Sequence, residues 1–217
     1  DETRAWFDEQ ERSSEFVALE TSDSEGDFDE TEHIDLAALV PLVAKPSSPG
    51  NVVPVEELAG TELAQVCVGS SVNSSYEDMA VVGSTLRGNQ ISEKLVSATA
   101  TPGSRQILDQ ITQSGTYVEL LSAGVRMLAP ACGPCAGVGR MGNPKSDVFL
   151  CSPAVAAVSM LKGEITDPRE FDPPELPQRP PARPAVVQAH ILAPAPADEA
   201  ASIEVPRGPN IKPPPEP

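Results

Sequence analysis

The sequence predicts an α/β fold over residues 55–170, a mostly parallel sheet with flanking helices on both faces. Three observations carry this. Short β-type runs alternate with capped stretches of helical apolar spacing. Glycine or proline punctuates nearly every junction between them. The residues that oppose a compact core, an acidic run and a proline-rich run, are segregated outside this window.

Taken in order, the chain opens with Thr3 as the cap of a helix reaching Leu19, with Trp6, Phe7, Phe16 and Val17 as its apolar contacts. Residues 1–35 hold 14 acids and two bases, Arg4 and Arg12, so this segment alone contributes −12 of the chain's −17. The acids from Asp23 to Glu30 repel one another and have no apolar periodicity, which predicts an exposed connector over 20–32. Within the window, Ala64–Val68 reads as a strand closed by Gly69-Ser70-Ser71. A helix follows from Glu77 to Leu86, with Met79, Val81 and Val82 on its apolar positions and a stop at Gly88. Leu95–Ala100 is the second strand, and Ile107 and Ile111 mark a helix stopped by Gly115. A shorter helix from Tyr117 to Ala123 leads to the third strand, Val125–Leu128. Val148–Leu150 is the fourth strand. Ser152 as cap, Pro153 at the first helical position and Gly163 just past the end then define the clearest helix in the chain.

Beyond it, residues 171–217 hold 14 of the 24 prolines, which predicts an extended tail without a core, a spacer toward a further domain. The division is therefore 1–54 as acidic N-terminal flank and connector, 55–170 as the α/β domain, and 171–217 as a Pro-rich linker.

A net charge of −17 excludes a basic surface for non-specific nucleic-acid or anionic-membrane binding. No apolar run approaches the roughly 20 residues that span a bilayer. The first residues are acidic and form no leader, so the expectation is a cytoplasmic, reducing location with free thiols.

In parallel sheets ligands bind beyond the carboxyl ends of the strands. The turns at Gly69–Asn73, Thr101–Ser104 and Cys132–Cys135 all leave such ends, and so face one crevice. Of the four cysteines, Cys67 and Cys151 read as small buried hydrophobes. Cys132-Gly133-Pro134-Cys135 is different, because two intervening residues let both sulfurs reach one metal. Spacing alone leaves three chemistries open here: half a zinc site, a redox pair, or two ligands of an iron–sulfur site that lacks one more.

Several ordered segments resemble the aconitases. They are Ile34-Asp35-Leu36 with Pro41–Pro49 and Asn51–Val55, then Val68–Asp78, then Ala131–Gly137, and Ser152-Pro153 with Gly163–Arg169. Arg207-Gly208-Pro209-Asn210-Ile211-Lys212-Pro213 is similar to the start of that family's linker to its swivelling domain. Isopropylmalate dehydratase large subunits share the cysteine loop, but Asp167-Pro168-Arg169 and the Arg207–Lys212 stretch favour aconitase.

The resemblance implies an aconitase-type iron–sulfur domain, a hydro-lyase of the tricarboxylic acid cycle. Citrate, cis-aconitate and isocitrate would interconvert on a [4Fe–4S] cluster with one open iron. Cys132 and Cys135 match two cluster ligands, and Ser71, in a turn with Asn73, stands at the position of the third. A bacterial branch of the family also carries serine there. The connection between Arg140 and Val148 lacks the family's longer stretch with its substrate-binding arginines, and His33 and His190 match no family histidine. The resemblance therefore implies an interior piece that needs the remaining aconitase domains, in cis or in trans, and does not turn over citrate alone. The alternative is a non-catalytic relic or a metal- or thiol-binding interaction module, holding zinc or no metal.

Overall fold

The computed structural model describes residues 2–19, 28–46, 48–132, 147–183, 194–200 and 202. The chain divides into two compact units, Asp1–Ala185 and Val186–Pro217. Among the described residues of the second there is one short helix, Ala197–Ala200.

The first unit bears out the α/β class. Strands β3 (Gln65–Gly69), β4 (Ser97–Thr101) and β5 (Arg126–Met127) form a parallel sheet in sequence order. Helices α2 (Tyr76–Leu86), α3 (Arg105–Gln113), α4 (Thr116–Ser122) and α5 (Pro153–Lys162) supply the crossovers and the cover. Helices α2, α3 and α5 each start at a serine cap. Ser75 accepts from the backbone N–H of Asp78, whose carboxylate accepts from the N–H of Ser75, a capping box that satisfies two orphan donors. Ser104 caps α3 through the Ile107 N–H, and Ser152 caps α5 through that of Val155. Gly163 ends α5 at φ 75°, as expected of a residue without a Cβ.

One face of the sheet carries Val66, Val68, Ala98 and Ala100, which pack with Met79, Val82 and Leu86 of α2, Ile111 of α3, Leu120 of α4, and Ala157 and Met160 of α5. The expectation of helices on both faces fails. Gln65, Cys67 and Arg126 on the opposite face are exposed, so among the described residues this sheet is covered from one side only.

A second, smaller sheet contains β1 (Leu42–Ala44), β2 (Val52–Pro54) and β6 (Leu150–Cys151), all antiparallel, in the order β2–β1–β6. The fourth predicted strand thus belongs to this sheet and pairs with residues the sequence groups with the acidic flank. Val43, Val55, Val155 and Ile165 form its core. Helix α5 links the two cores, Val155 facing one and Ala156, Ala157 and Met160 the other.

Asp167-Pro168-Arg169 closes this smaller core. The buried Asp167 accepts from the Arg169 backbone N–H at 2.9 Å and from its guanidinium at 2.6–3.0 Å. Arg169 also bridges to Glu56. The Arg169 side-chain hydrogen bonds hold the Asp167 carboxyl below its usual range. A lowered folded-state value adds stability above the unfolded carboxyl's titration, and that stability is lost as pH falls through the folded value. Asp167→Asn is therefore expected to lower the urea midpoint near neutrality and to flatten its decline on acidification, read from unfolding curves between about pH 7 and pH 3.

Two N- and C-terminal expectations need correction. Helix α1 runs only from Glu2 to Glu9, because Glu11 takes a positive φ of 58° and Ser13–Glu15 forms a separate 3-10 turn. Trp6, Phe7 and Phe16 still meet, with ring centroids 5.3 Å and 5.9 Å apart. Over 172–183 the proline-rich run forms no helix or strand, yet it is not free of contacts. Proline lacks a donor but keeps its carbonyl, and side chains use those acceptors. The Tyr76 hydroxyl donates to the Gln178 carbonyl at 3.2 Å, and Gln110 Nε2 to that of Pro180 at 2.6 Å. From α1, Glu9 accepts the Ala182 N–H and the Gln10 amide donates to its carbonyl. Ala182 is buried in consequence. Tyr76→Phe is expected to cost about 1 kcal/mol and to speed proteolytic cleavage within 172–183, followed by mass spectrometry of the fragments. Part of the predicted connector, 20–27, lies outside the described residues, while 28–40 are exposed.

Candidate functional site

Of the three turns singled out in the sequence, the first two leave the carboxyl ends of β3 and β4, and the described start of the third, up to Cys132, follows β5. The first is the tightest. Gly69 has φ 82°, and a Cβ there would stand 2.1 Å from the carbonyl oxygen of Thr101, its partner in register on β4. Only glycine admits this approach. Ser70 and Asn73 also have positive φ, 140° and 52°, so the loop is bent out of the strand direction within a few residues. It presents Ser71, Val72 and Asn73 to solvent, while Ser70 and Ser74 are buried.

The second turn locks onto the first. The Gly103 N–H donates to the Ser74 carbonyl at 3.1 Å, and a Cβ on Gly103 would come within 2.5 Å of the Ser74 hydroxyl. The third begins where Leu128 N–H donates to the Ala100 carbonyl and carries the ladder past β5. It brings the exposed Cys132 to Ser71, whose hydroxyl donates to the Cys132 sulfur at 3.4 Å. Two residues 61 positions apart thus meet at the strand ends.

Cys135 lies outside the described residues, as do Gly142–Lys145, His190 and Arg207–Pro213. His33 is exposed. Cys67, expected in the core, points from the uncovered face of the sheet, because its register neighbours Val66 and Val68 take the buried side. Cys151 was also expected in the core, and keeps exposed surface at the β6 end. Its thiol is nevertheless crowded enough that desolvation pushes it up to about 11, which keeps it protonated and a poor ligand at neutral pH. Among the described residues no group of three or more His, Cys, Asp or Glu side chains could hold a metal ion. The described part of the site is therefore one thiol and one hydroxyl. The sequence missed the Ser74–Gly103 lock, although a Ser-Ser pair before a helix opposite a Pro-Gly turn is its visible trace.

A comparison with protein-family models matches residues 2–152 to the aconitase family (aconitate hydratase). The chain belongs to the aconitase family. Among curated proteins it is similar to 3-isopropylmalate dehydratase large subunit 2 of Archaeoglobus fulgidus, 34% identical over an alignment of 189 residues that covers 78% of this chain and 45% of that protein. It is also similar to the large subunit 1 of Methanopyrus kandleri, at 39% over 158 residues, 64% of this chain and 38% of that protein. With the large subunit 2 of Pyrococcus furiosus it shares 37% over 155 residues, 62% of this chain and 40% of that protein. The chain thus spans less than half the length of these relatives.

The names of these relatives bear on the substrate. Asp167-Pro168-Arg169, read as favouring aconitase over the isopropylmalate dehydratases, forms in the structure an ion pair that closes the smaller core. A role in the tricarboxylic acid cycle has no support from the relatives, whose names are those of isopropylmalate dehydratases.

Hydro-lyases of this family carry a [4Fe–4S] cluster. The described residues fit such a group in two respects. Cys132 is an exposed thiol at the strand ends, open to a ligand rather than packed in the core. The hydroxyl beside it, Ser71, is a polar hydrogen-bond donor to the sulfur.

Proposed function

We propose that this chain is the cluster-holding portion of an aconitase-family hydro-lyase that adds and removes water at a hydroxy acid with two or more carboxylates. The observation that carries this reading is the meeting of Ser71 and Cys132 at the carboxyl ends of three parallel strands, in a chain of that family. Cys132 and Cys135 hold the cluster. When bound, the cluster supplies a Lewis-acid iron for the substrate's hydroxyl and carboxylate. The chain's own part is positional. Gly69 and Gly103 fix the two loops against each other, Ser71 gives Cys132 a fixed neighbour, and Asn73 is presented to solvent on the same turn.

The names of the relatives support isopropylmalate as the substrate over citrate, and their description as large subunits supports a partner that completes the site in trans. The remaining walls come from that partner or from further domains in cis. Among the described residues no helix is long and apolar enough to cross a membrane, and free thiols at Cys67, Cys132 and Cys151 support a reducing, cytoplasmic setting.

The test is turnover by the full-length protein together with its partner subunit, reconstituted with iron and sulfide without oxygen. Isopropylmalate and citrate are offered in turn, and the unsaturated acid is followed by its absorbance. Dehydration of isopropylmalate supports the reading. Turnover of citrate alone would move the substrate to the aconitase type. A loaded cluster with neither activity would favour a metal- or thiol-binding module without catalysis.

A further inference from the structure

We propose that Ser71 positions the Cys132 thiolate by hydrogen bonding to it and is not itself an iron ligand, a role that rests on the cluster reading above. The Ser71 hydroxyl lies 3.4 Å from the Cys132 sulfur, with both residues exposed. Coordination geometry restricts what that distance allows. Two ligands on one tetrahedral ion, with bonds of about 2.0–2.3 Å, stand about 3.5 Å apart. In a [4Fe–4S] cluster each iron takes at most one outside ligand from the protein, so two protein ligands leave from different corners and stand farther apart than two ligands on one ion. The separation fits a hydrogen bond, or one ion shared by both residues, and does not fit two corners of one cluster.

The chemistry of the pair favours the hydrogen bond. As a ligand, serine must lose its proton and compete as a hard oxygen against soft thiolates. As a donor it keeps the proton and stabilises the charge on sulfur. The backbone opposes a change of place. The loop is pinned at one end by the approach of Gly69 to Thr101 and at the other by the hydrogen bond from Gly103 to Ser74. Ser71 is held between these two points.

Hydrogen bonds to the sulfurs set the reduction potential of a cluster, so the role has a signature that a merely structural one lacks. The full chain is purified without oxygen and reconstituted with ferrous iron and sulfide as wild type, Ser71→Ala and Ser71→Thr. Iron and acid-labile sulfide are counted per chain, and the potential is read from a redox titration followed by electron paramagnetic resonance. Ser71→Ala is expected to keep the wild-type iron and sulfide content and to shift the potential to more negative values. Ser71→Thr, which retains the hydroxyl, is expected to return it to the wild-type value. A loss of iron in Ser71→Ala, or a potential that does not move, overturns the assignment. Bound zinc in the wild type that disappears in Ser71→Ala would make serine a ligand of a single shared ion and overturn it as well. A wild-type chain that assembles no cluster overturns the hydro-lyase reading and this role together, which separates that failure from failure of the assignment alone.

Discussion

Gly69→Ala is expected to destabilise the first unit by roughly 3 kcal/mol, the sum of a left-handed backbone conformation and a forced separation of packed atoms. The clash is with backbone, since the new Cβ would lie 2.1 Å from the Thr101 carbonyl and 2.6 Å from the Met79 methyl. Neither atom is the loose end of an exposed side chain, because Thr101 is a strand residue and Met79 is fully buried. Gly60→Ala is the control. It has nearly the same φ, 83°, but nothing within 4 Å of its Cβ, so only the conformational cost of about 1–2 kcal/mol applies. Urea unfolding measures both, with the midpoint shifted and the slope unchanged. Equal losses in the two variants would show that the β3 and β4 ends are not locked as described. Because the same lock carries the Ser71 loop, Gly69→Ala is also expected to lower iron uptake where Gly60→Ala is not.

Cys132→Ala has the largest expected effect on the metal and almost none on the fold. The side chain is exposed, so the urea midpoint should stay within about 0.5 kcal/mol of wild type. Iron uptake after reconstitution should fall to background, since no other described cysteine lies at the strand ends. Cys67→Ala is the matched control. It removes an equally exposed thiol from the uncovered face of the sheet and should leave iron uptake unchanged. If both variants keep their iron, Cys132 is not a ligand.

Elements governed by local chemistry were the ones legible in the sequence. Ser152-Pro153 and Gly163 delimit α5 because cap, first-turn proline and left-handed glycine act within a few residues of one another. The Ser75–Asp78 capping box was equally present in the sequence, and the helix was read one residue late at Glu77. What depends on distant partners was harder to see. Leu150–Cys151 has strand character, but nothing in its own residues says that it pairs antiparallel with Val43 and Ala44 more than a hundred positions earlier. The uncovered face of the parallel sheet has the same cause, since a face is covered by elements chosen elsewhere in the chain. Its trace is the alternation Gln65, Cys67 against Val66, Val68, where one-sided burial outweighed the general tendency of cysteine to be inside. Proline content foretold a lack of helix or strand over 172–183 and hid its contacts, because the donors are Tyr76 and Gln110 on helices and Gln10 just past α1, all remote in sequence.

The candidate site was legible for a topological reason. Turns at the carboxyl ends of adjacent parallel strands face one side, and this rule is enough to bring Ser71 toward Cys132 without any local signal linking them. The hydrogen bond between them was not legible, because it depends on the bend at Gly69, Ser70 and Asn73.

Iron and acid-labile sulfide content of the anaerobically reconstituted wild-type chain, with its electron paramagnetic resonance spectrum, tests the central claim most directly. An iron–sulfur signal that vanishes in Cys132→Ala is the expected result. Stoichiometric zinc, or no metal at all, in the wild type would contradict it.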